Sequence, residues 1–383
     1  MCVLAGVAPG AQAAGGQLSW VSRTAPIAAL WDGVAYGNGT WVAVSNVSAG
    51  STSVMSSPDG ITWTARTSAN NFTYRDVTYG NGYFVAVGAT GHSMRSSDGI
   101  TWTANPMATP NDNFYSVIYG AGKFIAVGGP LSKAQSSPDG VTWTMVNPTG
   151  TSNWRGVTYG NGVYVAVGSA LGTPQAVWSS DGVTWTAAAT TVEANDWYDV
   201  TFGAGLFVAV SATGTNRVMT STDGSTWVPR QVPTQEWRSV AYGNGIWTAI
   251  AGDGSGGGIG GAVMTSTDGV TWTPGLPATE TDWRDIAYGD GLFVAVSISG
   301  QIMTAIAELT YARGDTVIRQ GLPLGSDGTC ANLQDSAYAY GTGVTGGWQR
   351  AWEPWPNGGA GGWACIRALA NSGGAWSVDN REL

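Results

Sequence analysis

Four arginine residues occupy one recurring position along this chain, in each case directly after a recurring aromatic residue. They are Arg75, Arg155, Arg238 and Arg284. The equivalent position in three further copies holds Tyr115, Tyr198 and Asp32. A guanidinium group carries N–H donors in a planar fork, which suits it to carboxylate and sulfate groups. If the repeats bring these residues together, they offer a basic ring that captures an anionic group.

The aromatic residue before this position completes the candidate ligand-binding site. Five of these aromatic residues are tryptophans, whose flat faces can flank a ligand. They are Trp31, Trp154, Trp197, Trp237 and Trp283, and the remaining two copies have Tyr74 and Phe114. A structural interpretation stays open beside this one. In it, each aromatic packs between repeats, and the arginines pair with nearby carboxylates such as Asp76, Asp285 or Glu236.

The repeat that must position these residues recurs every 40 to 46 residues. Seven copies align on a β-branched residue three places after each aromatic: Val34, Val77, Val117, Val157, Val200, Val240 and Ile286. Each copy holds four short β-type segments, with turns such as Gly-Asn-Gly after the first and an apolar run in the second. Repeats of this length are typical of β-propeller blades. The sequence therefore predicts an all-β, seven-bladed β-propeller whose inner strands line a central channel.

A turn between the third and fourth segments recurs six times and reads Ser179-Ser-Asp181-Gly-Val-Thr-Trp185 in the fourth copy. It resembles the Asp-box of bacterial-neuraminidase-type repeats in secreted bacterial or phage proteins, although here Asp and Gly are adjacent. The resemblance implies a structural role for the aspartates, whose carboxylates can accept backbone N–H groups within the turn. They are Asp59, Asp98, Asp139, Asp181, Asp223 and Asp268.

The seventh copy lacks this turn, and a segment near the N-terminus matches the missing piece. Gln17-Leu-Ser-Trp20 has the same residue types and order as Gly60-Ile-Thr-Trp63. We therefore expect a propeller over residues 14–305 that the N-terminal strand closes. Residues 306–325 form the predicted linker. Residues 326–383 are predicted to form a small Gly- and Trp-rich β domain with a candidate Cys330–Cys365 disulfide.

Residues 1–13 are small and apolar and end in Ala11-Gln12-Ala13, which resembles a signal-peptidase site. We interpret them as a signal-peptide remnant, with a disordered tail as the alternative. This segment and the candidate disulfide predict a secreted or extracellular protein. A formal net charge of −9 argues against a nucleic-acid partner, and no apolar run predicts membrane insertion. The single histidine, His92, supports no His-based metal site, and no cofactor is expected.

The resemblance raises the question of glycosidase chemistry. Sialidases need an arginine triad on the substrate carboxylate, a Tyr–Glu nucleophile pair and an acidic general acid, and no Tyr–Glu pair is identifiable here. We therefore predict no catalytic residue. The favoured function is a non-catalytic extracellular binding module for a glycan or protein. A sialidase-like glycoside hydrolase and a structural component of an extracellular or virion assembly are the alternatives, and the oligomeric state stays open.

Recognition by such a module is expected on its variable face. The loop between the second and third segments changes most in length, with extremes at Val47–Ser53 and Ala251–Ala262. In a propeller this loop shares a face with the start of each inner strand, and variable loops on a fixed scaffold often carry recognition. Simple tolerance of insertions is the alternative explanation.

Overall fold

The computed structural model describes residues 18–46, 52–109, 111–129, 133–146, 148–169, 173–189, 193–252 and 261–306, with five short strands between 309 and 378. The chain divides into two compact units. One is Gln17–Ala305, and the other combines Met1–Gly16 with Ile306–Leu383. Within the described part of Gln17–Ala305 there are seven four-stranded sheets, and the helical structure is one 3-10 turn at Ala89–Gly91.

Six of these sheets use four strands that follow one another in the chain, and we number them blades 1 to 6. Blades 1 and 2 are Trp31–Gly37, Thr40–Ser45, Val54–Ser57, Thr64–Arg66 and Tyr74–Gly80, Tyr83–Gly88, His92–Ser96, Thr103–Pro106. Blades 3 and 4 are Asn113–Gly120, Lys123–Gly129, Lys133–Ser137, Thr144–Met145 and Trp154–Gly160, Val163–Gly168, Ala176–Ser179, Thr186–Ala187. Blades 5 and 6 are Trp197–Gly203, Leu206–Ser211, Val218–Ser221, Val228–Arg230 and Trp237–Gly243, Ile246–Ala251, Val263–Ser266, Thr273–Gly275. Blade 7 contains Trp283–Gly289, Leu292–Ser297 and Ile302–Ile306, with Val21–Arg23 as its fourth strand.

The first strand of each blade, here called the inner strand, forms part of a ring. Each inner strand contacts that of the next blade, and the inner strand of blade 7 contacts that of blade 1. The unit is therefore an all-β, seven-bladed β-propeller, as the repeat predicts. The second strands lie between neighbouring blades, and Trp41, Val42, Ala43 and Val44 are at most 1% exposed. Burial on both faces explains their continuous apolar run.

Tight hairpins connect the inner and second strands. In blade 1 the two turn residues, Asn38 and Gly39, have φ angles of 47° and 72°. Positive φ at both central residues is the requirement of a type I′ turn, whose twist matches that of the flanking strands. The same pair of positive φ angles recurs in all seven described blades. This explains the choice of glycine with asparagine, alanine or aspartate at these positions.

The Ser-x-Asp-Gly turns are held by their own side chains. In blade 4 the Asp181 Oδ1 atom accepts the N–H groups of Val183 at 2.8 Å and Thr184 at 2.7 Å, together with the Ser179 hydroxyl at 2.9 Å. The same three bonds occur in the other five turns. The Thr184 and Val183 N–H groups lower the pKa of Asp181 to about 2. These contacts give the turn carboxylates a structural role.

The N-terminal strand occupies the fourth position of blade 7. Val21 pairs with Thr304, and Arg23 pairs with Ile302. The Arg23 Nε–H group donates to Thr304 Oγ1 at 2.8 Å, and Arg66 and Arg230 make the equivalent contact in blades 1 and 5. Val21–Arg23 directly follows Trp20, as Thr64–Arg66 directly follows Trp63. The local pairing is therefore that of an ordinary fourth strand.

We predict that this strand contributes to the stability of the ring. Removing residues 1–23 deletes three residues of strand pairing and the Arg23 side-chain bond. At about 1 kcal/mol for each lost bond, the loss is about 3 kcal/mol, or roughly 5 °C in melting temperature for a unit of this size. Removing residues 1–16 alone is the control, because these residues belong to the other unit. Equal melting temperatures for the two truncations would contradict closure by the N-terminal strand.

The second unit contains short strands of its own. Leu309–Tyr311 pairs with Trp376–Val378, which also pairs with Ala368–Ala370, and Gln349–Glu353 pairs with Gly362–Ile366. The predicted linker 306–325 therefore includes a strand that pairs with the C-terminal segment. The candidate signal-peptide remnant, residues 1–13, and Cys330 of the candidate disulfide lie outside the described residues. The pairing of Cys330 with Cys365 stays a prediction.

Candidate functional site

A β-bulge in each inner strand builds the channel mouth. In blade 4, Trp154 pairs with Gly168 and Gly156 pairs with Val167, so Arg155 is the extra residue. The same irregularity follows the aromatic residue in all seven described blades. A bulge breaks the strict alternation of side chains along a strand. Two successive residues of one strand can therefore line the same cavity.

The cavity at the mouth has a volume of about 120 Å³ and is lined by two tiers of residues. At roughly 30 Å³ for each water molecule, it holds about four water molecules or one small chemical group. The first tier is Asp32, Arg75, Tyr115, Arg155, Tyr198, Arg238 and Arg284. The second tier, one residue further along each inner strand, is Gly33, Asp76, Ser116, Gly156, Asp199, Ser239 and Asp285, of which all but the two glycines line the cavity. The structure thus brings the four predicted arginines together.

The arginines and tyrosines of the first tier stack on one another. Arg155 lies between two tyrosines, with its guanidinium carbon 4.9 Å from the ring centroids of both Tyr115 and Tyr198. Arg75 stacks on the other side of Tyr115 at 4.9 Å, and Arg238 stacks on Tyr198 at 4.2 Å. Cation–π contacts of this kind hold a guanidinium plane in place without occupying its hydrogen-bond donors. The stack therefore orders the arginines across blades 2 to 6.

Three of the four arginines also face a carboxylate. Arg238 pairs with Glu236 at 2.8 Å, as one of the sequence-based interpretations expects. Arg284 pairs with Asp282 at 2.8 Å, and Arg75 lies 3.9 Å from Asp32. The other two expected partners, Asp76 and Asp285, bind backbone N–H groups and make no ion pair with the arginines within the described residues.

The guanidinium groups at the mouth are only partly paired. The Nε atoms of Arg75, Arg155, Arg238 and Arg284 are buried and have no hydrogen-bond partner within the described residues. Arg155 also forms no ion pair with any residue that the structure describes. A ligand cannot reach these enclosed Nε atoms, but each of the four arginines keeps some solvent contact, so a ligand would meet the terminal guanidinium N–H groups. Arg155 is thus the first-tier arginine best placed to receive an added carboxylate.

The five tryptophans of the candidate site have a different role from the one expected of ligand-binding residues. Trp31, Trp154, Trp197, Trp237 and Trp283 are at most 1% exposed. Three of them donate their indole N–H to a carbonyl four residues earlier, as Trp237 does to Pro233. A ring that solvent does not reach cannot stack on a ligand, so we revise these residues to packing between blades. The aromatic groups at the mouth are Tyr115 and Tyr198.

The second tier connects each blade to the next. Its side chains accept the N–H group of the aligned β-branched residue in the following blade. The bonds are Val34 to Asp285 (2.7 Å), Val117 to Asp76 (2.7 Å), Val157 to Ser116 (3.3 Å), Val240 to Asp199 (2.9 Å) and Ile286 to Ser239 (3.3 Å). The remaining two N–H groups, of Val77 and Val200, donate at 2.7 Å to the aspartate of their own blade. All seven groups are therefore satisfied.

The second tier has glycine at positions 33 and 156, where no side chain is available to the next blade. In those next blades, the N–H groups of Val77 and Val200 donate to the aspartate of their own strand. A Cβ atom at Gly33 would lie 2.7 Å from the Cα atom of Asp76, and one at Gly156 would lie 2.7 Å from that of Asp199. Real Cβ atoms do not approach backbone so closely, so any side chain would push the neighbouring inner strands apart. Glycine at these positions is a requirement of close blade contact.

Enclosure by protein raises the pKa of the acidic groups at the mouth, even though each keeps some solvent contact. Burial, with the nearby charge of Asp199, raises the pKa of Asp285 to about 7. Burial also raises the pKa of Asp199, and burial with the charge of Asp285 raises that of Asp76. Burial raises the pKa of Asp32 to about 6, against the opposing effect of Arg284 and Arg75. The mouth is therefore less negative near neutral pH than its composition suggests.

The loops between second and third strands lie beside this mouth. In six blades a backbone N–H group just after the second strand donates to the carbonyl of the residue before the aromatic, as Ser169 does to Asn153 at 3.1 Å. The predicted shared face is therefore present in the structure. The centres of the two most variable loops, residues 47–51 and 253–260, lie outside the described residues.

Other chemistry is sparse in the described part of the chain. The single histidine, His92, lies on the third strand of blade 2 and stacks on Phe72 with ring centroids 3.5 Å apart. No group of three or more His, Cys, Asp or Glu residues among the described residues is arranged to hold a metal ion. The described residues also contain no helix with the length and hydropathy needed to span a membrane.

Sequence reasoning identified the first tier but missed the second. The spacing places Arg155 and its equivalents at one repeat position, whereas strict strand alternation would send the next residue to the opposite face. The available signal was the chemistry of that next position. It contains only Gly, Ser and Asp in the seven copies, which are small or hydrogen-bonding residues suited to backbone contacts.

Comparisons with known proteins identify the architecture. No family model and no curated protein matches the chain. A streptogramin B lyase structure is similar, with 11% identity and a TM-score of 0.63 over 75% of this chain and 97% of the lyase. A catalytically inactive virginiamycin B lyase from Staphylococcus aureus with quinupristin is 11% identical, with a TM-score of 0.65 over 76% of this chain and 100% of the lyase. YCF48 bound to D1 peptide is 16% identical, with a TM-score of 0.58 over 78% of this chain and 97% of YCF48.

Identities this low show the fold alone. The fold and the site together define a seven-bladed β-propeller with a two-tier polar channel mouth.

The clash at the second tier leads to a prediction about stability. Gly156 does not have positive φ, so backbone propensity alone would make Gly156→Ala neutral or stabilising. Contact with the Asp199 backbone should instead make the substitution destabilising by about 1–3 kcal/mol. The control is Gly275→Ala, because the nearest atom to a Cβ there is at 3.4 Å. Denaturant unfolding checks both, and equal stabilities for the two variants would refute the requirement for glycine.

Proposed function

We propose that this protein is a non-catalytic binding module that captures a carboxylate group of a protein partner at the channel mouth. The observation that carries the proposal is the stacked set of arginines at the mouth, in which Arg155 keeps some solvent contact and forms no ion pair with any described residue. A carboxylate placed beside Arg155 would receive charge-assisted hydrogen bonds from a guanidinium group that Tyr115 and Tyr198 already hold in place. Such pre-ordering lowers the entropy cost of binding.

The charges at the mouth are compatible with one added carboxylate. The first tier and its ion-pair partners carry the guanidinium groups of Arg75, Arg155, Arg238 and Arg284 against the carboxylates of Asp32, Glu236 and Asp282. One positive charge therefore remains when all these groups are ionised. The raised pKa values of the second-tier carboxyl groups reduce the repulsion from below. The cavity of about 120 Å³ fits a side chain or chain terminus better than a whole ligand.

A protein partner is favoured over a glycan because of where the aromatic groups lie. Sugar-binding sites commonly offer an exposed aromatic face, and the five tryptophans next to the mouth are buried. Among proteins of similar fold, YCF48 has been seen bound to a peptide and virginiamycin B lyase with quinupristin. These neighbours support a binding role for a propeller of this kind.

The remaining features belong to the same proposal. The Ser-x-Asp-Gly turns are of the Asp-box type, the N-terminal strand closes the ring, and the protein acts outside the cell. Hydrolysis as in a sialidase has no support from the mouth, because its described lining contains no glutamate that could form the Tyr–Glu nucleophile pair with Tyr115 or Tyr198. No contact of the described residues favours the virion-assembly alternative specifically.

The test uses paired probes that differ only in charge. Immobilised peptides with Asp or Glu side chains or a free C-terminus are compared with their Asn, Gln or amidated forms, and acidic glycans form a second arm. We expect Arg155→Gln to weaken binding of the acidic peptides about 10- to 100-fold, from the loss of about 1.5–3 kcal/mol of charge-assisted bonding.

Arg95→Gln is the matched control. Arg95 also stacks on a tyrosine, Tyr83 at 4.1 Å, but does not line the mouth. Its removal should leave peptide binding unchanged. Equal binding of acidic and neutral peptides would overturn the proposed function. Binding confined to acidic glycans would keep the carboxylate site and overturn the protein partner.

A further inference from the structure

We infer that Asp199, Ser239 and Asp285 form a proton-binding site in which the two carboxyl groups share one proton through the serine hydroxyl. The Ser239 Oγ atom lies 2.9 Å from Asp199 Oδ2 and 2.8 Å from Asp285 Oδ1. Each of these contacts is at hydrogen-bond distance. The three residues belong to the inner strands of blades 5, 6 and 7, so the bridge joins three successive blades.

One of the two carboxyl groups must be protonated for both contacts of Ser239 to be hydrogen bonds. Two oxygen–oxygen hydrogen bonds need two protons, and the serine hydroxyl supplies one. The second proton then has to reside on a carboxyl group, which donates to Ser239 Oγ while Ser239 donates to the other carboxylate. With both carboxyl groups ionised, one contact would place a negative oxygen against a hydroxyl oxygen without a proton between them.

Neighbouring backbone groups do not supply the missing proton. The Val200 N–H and Val240 N–H groups donate to Asp199, and the Ile286 N–H and Val34 N–H groups donate to Asp285. The Ile286 N–H group also approaches Ser239 Oγ at 3.3 Å. These donors stabilise the carboxyl oxygens but leave both oxygen–oxygen contacts in place. The bridge therefore depends on a proton from solvent.

Other charged groups face the bridge from the surrounding blades. The acidic groups are Asp76 and Asp32, and the basic and phenolic groups of the cavity are Arg75, Arg155, Arg238, Arg284, Tyr115 and Tyr198. The arginines favour ionised carboxylates, whereas enclosure and the nearby acids oppose ionisation. The latter dominate, because burial and the charge of Asp199 raise the pKa of Asp285 to about 7. A proton is therefore held near neutral pH and released at mildly alkaline pH.

Proton release has a definite effect on stability. The folded protein holds the proton up to about pH 7, whereas an unfolded aspartate releases it near its ordinary pKa of about 4. Between these values the folded state binds more protons, so the free energy of unfolding falls as pH rises. We expect the melting temperature to decline from pH 5 to pH 8 and then level off.

The same proton would regulate the site of the proposed function, and this consequence rests on that function. Deprotonation adds a negative charge to the cavity that Arg238 and Arg284 also line, and this charge repels an incoming carboxylate. Binding of acidic peptides should therefore weaken as pH rises through about 7. The proton itself needs no ligand, so its detection separates the two ideas.

The experiment measures the protonated carboxyl group directly in the full chain. Infrared difference spectra between pH 5.5 and pH 9 should show a carboxylic C=O band that persists at pH 7. Asp285→Asn should reduce this band and the decline in melting temperature, because an amide does not titrate, while Asp76 and Asp32 keep their own raised pKa values. The variant should also lose stability at every pH, since an amide NH₂ in place of Oδ1 cannot accept the Ile286 N–H group. Asp199→Asn is the second variant and has the same expected result if Asp285→Asn does not fold.

Asp268→Asn provides the control, since this aspartate lies in a Ser-x-Asp-Gly turn with a lowered pKa. It should keep both the band and the decline. The shared-proton proposal would be overturned by the absence of a carboxylic band at pH 7. It would also be overturned if Asp285→Asn and Asp199→Asn both left the pH dependence of the melting temperature unchanged. A normal band without any peptide binding would instead overturn the proposed function and leave the proton site standing.

Discussion

Seven backbone N–H groups beside the central channel each need a hydrogen-bond acceptor, and this requirement determines the residues around the channel. They belong to Val34, Val77, Val117, Val157, Val200, Val240 and Ile286, each directly after the bulge of its inner strand. Each inner strand is the edge strand of its blade, so these groups need acceptors from side chains and not from a neighbouring strand of the sheet. Second-tier side chains provide them, mainly across blade boundaries. Local strand geometry and blade assembly are thus satisfied by the same few atoms.

The use of aspartate as the acceptor places carboxyl groups in the cavity at the channel mouth. A carboxylate accepts two N–H groups from two blades, as Asp76 does from Val77 and Val117, whereas a single hydroxyl covers less. The electrostatic cost is a cluster of enclosed carboxyl groups, which respond with raised pKa values. The arginines of the first tier lie where they offset that charge. Their recurrence is therefore partly structural, and Arg155, which has no ion pair in the described part of the chain, departs furthest from this role.

Much of the architecture could be predicted because it follows from local chemistry that repeats. The Gly-x-Gly hairpins, the Ser-x-Asp-Gly turns and the apolar second strands each have a signature within a few residues. Which of Trp154 and Arg155 would reach the cavity could not be decided in the same way. The two residues are adjacent in the chain, yet the tryptophan packs between blades and the arginine lines the cavity. The bulge that separates them results from contact between inner strands, and no local residue pattern encodes it uniquely.

The two sets of aspartates make opposite demands on pH. In the Ser-x-Asp-Gly turns, backbone N–H groups favour the ionised form, and the pKa of Asp181 falls to about 2. Their contribution is present above the ordinary pKa and is lost as pH falls toward that value. At the axis, burial favours the neutral form, and the contribution of Asp285 is lost as pH rises toward about 7. One residue type thus stabilises the outer turns in its charged state and the axis in its neutral state. Because both sets act on the same ring of blades, we expect the free energy of unfolding to be greatest in the mildly acidic range between them.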